Sequence, residues 1–259
     1  MTNTYVFDNT ETDGDAMHHH LAAMYDPFTT RRLGHVGVAR NARCLAIAVG
    51  ASTIASVLAD LAPDGLVVAT DTNPHRCPPD PRVDLRNHDV VTDPLPSGPW
   101  DLIWVRLLLG HLDQRHEILR ALAAALSPGG VLLVEEFEGS WRNSVLSSPS
   151  PDADRLFAAY HDAFATVLTT AGNDLTWSRR VHHAMLQLGL DTDTQGHTNT
   201  WAGGTPGALL PHTTAGAIRP KLIQAGMTAT DIDAFRQLLL NPQLKILGNH
   251  ALSTSGRRH

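Results

Sequence analysis

Between Arg43 and Asp71 the chain reads RCLAIAVGASTIASVLADLAPDGLVVATD, and this stretch admits few folds. The apolar run Cys44 to Val49 is too short for a helix of its own and stops at Gly50, which predicts a strand and a tight turn. Ile54, Val57, Leu58 and Leu61 then recur at helical spacing. Pro63, Asp64 and Gly65 end that helix. A second apolar run, Leu66 to Ala69, closes on Thr70 and Asp71. In a strand, turn, helix, turn, strand unit of this kind, the first turn and the acid after the second strand open on one crevice. The helix N-terminus offers free N–H groups there, and the acid can accept two hydrogen bonds from a ribose diol. The residues alone therefore predict a nucleotide-type site.

Composition narrows the partners. At 259 residues the chain can bury a sizeable core, as one domain or one domain with a cap. A net charge of −6 argues against nucleic acid and anionic membranes, because phosphate binding needs a basic face. No apolar run approaches the ~20 residues of a membrane span. The opening MTNTYVFDNTETDGD is polar and acidic, unlike a signal peptide, and residues 1–15 are expected to be disordered. Cys44, in a buried strand, and Cys77, in a proline-rich turn, are poorly placed for a disulfide, so a reducing, cytoplasmic setting is expected. The 15 histidines are scattered, and His18-His19-His20 lacks a partner at zinc-ligand spacing, so no metal site is expected.

Along the rest of the chain, residues 16–34 predict two short helices separated at Asp26-Pro27. Val83 to Asn87 predicts a short third strand, Asp101 to Val105 a fourth and Val131 to Val134 a fifth. The helix before the fifth strand, with Ile118, Leu119, Leu122 and Leu126 inward, is expected to take Asp113 as its N-cap and to stop at SPGG. From residue 139 the periodicity changes. Amphipathic helices are expected over about 152–171 and 177–188, a weak strand in TDTQGHTNTW, helices at about 213–225 and 228–240, and a last strand at 250–255. Pro220 either kinks the first of the last two helices or marks its start.

The strand end at Ala46 to Ser52, Asp71, and the run LSPGGVLLVEE resemble class I S-adenosylmethionine-dependent methyltransferases. YDPFTTRRL resembles the helix that leads into small bacterial members and lies across the cofactor mouth. WAGGTPGALL, the late helix pair and the terminal GRR resemble their C-terminal part, so the likeness spans about residues 20–258. It implies a three-layer, Rossmann-like α/β fold with a mostly parallel seven-stranded sheet, its final strand antiparallel, and residues 139–189 as a helical cap on a single domain, 16–259. The family pattern has an acid, one residue, then GxGxG. Here Ala46 stands at the acid, and Ala48, Gly50 and Ser52 stand at the three glycines.

That resemblance also implies the site. Ala48, Gly50 and Ser52 line the cofactor turn, Asp71 and Thr72 meet the ribose, and Asp89 and Val90 meet the adenine. Arg106 is expected to hold an anionic group or to pair with an acid such as Asp101. His111 is the first candidate for a general base, since an oxygen acceptor needs one near neutral pKa. Its ordinary alternative is a histidine at a helix start. Either Glu135 or its neighbour Glu136 is expected to face the substrate, or both are simply solvated, with Arg106 as a further catalytic candidate. His161, Trp141 and Trp177 are candidate pocket walls, or simply core. Two readings stay open. One is a small-molecule methyltransferase of bacterial specialised metabolism, with a homodimer left open. The other, favoured by Ala46, Ala48 and Ser52, keeps the fold for a cyclisation, an elimination or binding alone.

Overall fold

The computed structural model describes residues 12–259. Its first elements are α1 (Thr12–Val36), β1 (Arg43–Ile47), α2 (Ile54–Leu61), β2 (Leu66–Asp71), β3 (Val83–Asn87) and β4 (Trp100–Arg106). Next come α3 (Arg115–Ala124), β5 (Leu126–Phe137), β6 (Ser144–Ser147), α4 (Ala153–Thr170), α5 (Trp177–Gln187), β7 (Leu190–His197) and β8 (Thr200–Ala202). The chain closes with α6 (Pro206–Ala217), α7 (Arg219–Gln224), α8 (Ala229–Leu240), β9 (Lys245–Leu247) and β10 (Ala251–Arg258). No described helix is long and apolar enough to cross a membrane.

Seven strands form one sheet in the order β3-β2-β1-β4-β5-β10-β7. β1 pairs in parallel with β2 and β4, and β5 pairs in parallel with β4. Only β10 runs against its neighbours, as expected for the last strand. The strand order reverses between β1 and β4, and a crevice opens beyond their carboxyl ends at such a reversal. The central strands are apolar on both faces because both are covered. Leu45, Ile47, Ile103 and Val105 pack with α3 and α5, while Cys44, Ala46, Leu102 and Trp104 pack with α2 and Leu33 of α1.

A second body sits over the strand ends. β6, β9 and β8 make a small antiparallel sheet, and α4, α6, α7 and α8 share a core around Phe157, Tyr160, Ile232 and Phe235. Residues 139–189 do not act as one unit: α4 belongs to this second body, whereas α5 packs on the main sheet through Trp177, Val181 and Met185.

Several local expectations change. Most of the disorder expected over 1–15 lies outside the described residues, and residues 12–15 are helical. Asp26-Pro27 does not split the first helix: α1 runs through Pro27 because Met24, Tyr25, Phe28 and Leu33 are all buried, which offsets the hydrogen bond the proline forgoes. Asp113 is not the cap of α3; Gln114 precedes the helix and makes no side-chain cap bond. The helix ends at Ala124, and SPGG already lies within β5. Pro220 marks the start of the separate helix α7.

Candidate functional site

A cavity of about 570 Å³ lies between the carboxyl ends of the sheet and the second body, a size usual for a small-molecule site. Its floor comes from the ends of β1, β2, β4 and β5, and its roof from α4 and α6. The N-terminal half of α1 adds Met17, His18 and Leu21 to the lining, whereas the YDPFTTRRL segment expected across the mouth, residues 25–33, does not line the cavity. Two residues here hold left-handed backbone without being glycine: Ala48 after β1 (φ 56°) and Leu107 after β4 (φ 53°). Both line the cavity. Such strain concentrates where the surrounding structure fixes a ligand-binding loop.

The turn after β1 is held from two sides. Asp71 accepts the Gly50 N–H and the Asn73 N–H, each at 2.8 Å, tying the end of β2 to the turn. Its carboxylate keeps further lone pairs for a ligand. Gly50 is also left-handed, and a Cβ there would lie 2.7 Å from Nδ1 of His18. That imidazole therefore closes directly over the turn. Nε2 of His18 and both ring nitrogens of His88 line this end, buried and without partners among the described residues. Asp71 beside orphaned ring nitrogens fits a nucleoside, which brings both a diol and heteroatoms.

Ser52 is not a glycine gone astray. It is buried, its hydroxyl donates to Oδ1 of Asp26 at 2.9 Å, and its Oγ accepts the Ile54 N–H at 3.1 Å. The two departures from glycine should thus respond oppositely. Ala48→Gly should stabilise by about 0.5–1 kcal/mol, since relief of about 1–2 kcal/mol of left-handed strain exceeds the extra freedom of the unfolded chain. Ser52→Gly should cost about 1–3 kcal/mol by stranding buried partners. Urea unfolding of the two variants checks the signs; shifts in one direction would refute this.

Asp26 is the member of this site that the sequence hid. Its Oδ2 accepts the N–H of Thr53 at 2.7 Å and the Thr53 hydroxyl at 2.8 Å, so a carboxylate from α1 caps α2. Its Oδ1 accepts from Arg106 at 2.8 Å, with both side chains nearly buried. Arg106 therefore pairs with Asp26 and not with Asp101, which accepts the Arg43 N–H and the Ser127 hydroxyl at the far end of β4. Arg106 also donates to Thr29 and lies over the Trp104 ring, and the residue is among those lining the cavity. Glu135 belongs to the same cluster: Oε2 accepts from Thr29 and from the Trp104 indole. It points under α1 and does not line the cavity.

Its neighbour Glu136 does line it. One oxygen accepts the N–H groups of Leu109 and Gly110 at 2.8 and 3.3 Å. Burial pushes its pKa up to about 7, against the pull of those backbone donors. The folded protein thus keeps a proton that the unfolded chain releases near 4.5, and stability falls as pH rises through that window. Removing that penalty is worth about 3 kcal/mol at the alkaline end. Glu136→Gln should therefore gain stability relative to wild type between pH 5 and pH 8 in urea titrations. Parallel profiles would show that the carboxyl is not so perturbed.

His111 also lines the cavity, at the end of a short turn after β4. Nδ1 meets Oδ1 of Asn173. The Asn173 amide nitrogen donates to Leu168 O at 3.1 Å, so its oxygen must face the imidazole. Nδ1 then carries the proton and Nε2 the basic lone pair. Burial lowers the pKa, Asn173 raises it and Arg115 lowers it again, which keeps the ring neutral at pH 7.

The remaining sequence candidates divide. Thr72, Asp89, Val90, Trp141 and His161 line the cavity. Asp89 already accepts the Val91 N–H within its own turn. Trp177 is core, packed beside His116 in the layer beneath α3. His18, His88 and Asn143 were not anticipated as site residues, although the high histidine count was a signal.

A family described as Methyltransferase domain matches residues 17–193. Methyltransferase str2 of Strobilurus tenacellus is 32% identical over 126 residues, 48% of this chain and 44% of that protein. The match thus spans under half the length of that relative. Among solved structures, a phosphoethanolamine N-methyltransferase of Haemonchus contortus, complexed with S-adenosylhomocysteine and phosphomonomethylethanolamine, superposes with a TM-score of 0.52 at 14% identity, covering 90% of this chain and 52% of that one. A methyltransferase from an antibiotic biosynthesis pathway of Anabaena variabilis gives 0.55 at 11% identity, covering 89% and 98%. At these identities the likeness is one of fold.

Proposed function

Because this chain belongs to the methyltransferase family, we propose that it holds S-adenosylmethionine in the 570 Å³ cavity and directs methyl transfer to a small molecule. One observation carries the reading: Asp71, at the glycine turn, and His111, with its tautomer fixed, converge on the same cavity. When bound, S-adenosylmethionine supplies an electrophilic methyl group on a sulfonium. Asp71 would accept from the ribose diol with the lone pairs left by Gly50 and Asn73. His18 and His88 would meet heteroatoms of the nucleoside, and Arg106 would meet the carboxylate of the methionine part. The roof from α4 and α6 excludes water and aligns the acceptor, which is most of what methyl transfer asks of a protein. Nε2 of His111 takes the proton of a hydroxyl acceptor, with Glu136 as a second proton carrier near pH 7. A place in specialised metabolism is part of this reading and rests on the sequence resemblance.

A second reading has one observation in its favour. Ala46 is fully buried among Trp104 and its neighbours and does not reach the cavity, so no carboxylate stands where the family keeps one. A cofactor held without transfer would serve a cyclisation or elimination. Incubation with S-adenosylmethionine and a panel of small hydroxylated molecules separates the two. Methyl transfer predicts equal release of S-adenosylhomocysteine and methylated product, read by mass spectrometry. Conversion of a panel member with the cofactor returned intact would establish the second reading.

A further inference from the structure

Asn143 leaves a hydrogen-bond acceptor unanswered at the end of the cavity under the second body. It is 6% exposed, lines the cavity, and its Oδ1 has no partner among the described residues. A buried amide oxygen without a partner is costly, and folded proteins leave few of them. Its backbone N–H is engaged, donating to Nε2 of His161 at 3.1 Å. That bond puts the His161 proton on Nδ1, and burial holds its pKa down at about 4, so the ring stays neutral.

The surroundings specify the rest of a ligand. Trp141 spends its indole N–H on Gly248 O at 3.0 Å, and Tyr160 and Phe164 stack at 5.5 Å with their planes 10° apart. All three line the cavity; Tyr160 is itself stacked on Phe235 and backs Phe164, so Trp141 and Phe164 offer the ring surface, which favours a flat aromatic body. The charges nearby are already neutralised: Arg142 pairs with Asp162, and Glu138 pairs with Arg179 at 2.7 Å. An anionic ligand would find no unpaired cation among these groups. The missing element is a donor.

We propose that this end of the cavity binds a neutral hydroxyarene that donates one O–H to Oδ1 of Asn143, a hydroxyl other than the one whose proton His111 takes, which makes Asn143 a specificity-determining residue for the methyl acceptor. This rests on the methyltransferase reading for the word acceptor, though not for the binding itself. The test uses a matched pair, 2-naphthol and 2-methoxynaphthalene, titrated by tryptophan fluorescence with and without S-adenosylhomocysteine. Wild type is expected to prefer the naphthol by about tenfold or more. Asn143→Leu should bring the pair to within about threefold of each other, with S-adenosylhomocysteine affinity unchanged and the thermal unfolding temperature not lowered. Equal binding of the pair by wild type overturns the proposal, and this comparison needs no variant. So does a preference that survives in Asn143→Leu. Naphthol preference in a protein that does not bind S-adenosylhomocysteine would sink the cofactor reading and leave the Asn143 contact standing.

Discussion

Asp26→Ala is expected to cost about 3–5 kcal/mol, because it leaves the guanidinium of Arg106 buried and unpaired. The same carboxylate caps α2 through Thr53 and accepts from Ser52, so one substitution loosens α1, the cofactor turn and the end of β4 together. Removing a capping side chain alone costs about 1 kcal/mol, so urea unfolding distinguishes the two contributions. Arg106→Met in the Asp26→Ala background should recover part of the loss, since the unpaired charge is then gone and Met fills its volume. A cost under about 1 kcal/mol for Asp26→Ala would mean that the pair is solvated and that α1 is held by its apolar contacts alone.

His111→Ala is expected to lower turnover by about 10²–10⁴ while leaving affinity for S-adenosylhomocysteine within about twofold. The imidazole meets the cavity with a neutral ring and a fixed tautomer, yet nothing in the glycine turn depends on it. His111→Gln should fall as far, since glutamine keeps a polar contact to Asn173 without a basic nitrogen. Asn173→Leu should show an intermediate loss with a changed pH profile, because the tautomer is then no longer imposed. A His111→Ala protein with full turnover would make the histidine structural and pass the proton to Glu136.

The parts of this chain that were legible are those where a local signal and the fold agree. β1, β2 and β4 are short apolar runs bounded by glycine, proline or a charge, and the structure places them in the middle of the sheet. Asp71 could be found because one residue at a strand end serves one crevice. Asp26 could not, because its partners lie 26, 27 and 80 residues away, and Asp-Pro reads locally as a break. Glu135 and Glu136 were inseparable for a different reason. Their strand is apolar on both faces, so Leu132, Leu133 and Val134 carry no alternation that would say which glutamate faces α1. The pairing of β5 with β4 decides it: Glu135 lies beside Arg106 on the α1 face, and Glu136 falls on the other. The short strands β6, β8 and β9 are three or four residues each and gain their order only from pairing with one another.

Binding of the cofactor product at the Asp71 edge is the central claim, and titration calorimetry of S-adenosylhomocysteine into wild type and Asp71→Ala tests it most directly. Wild type should bind with 1:1 stoichiometry. The variant should bind about ten- to a hundredfold more weakly, the value of charge-assisted bonds to a ribose diol. Equal affinities in the two proteins, or no heat of binding in wild type, would contradict it.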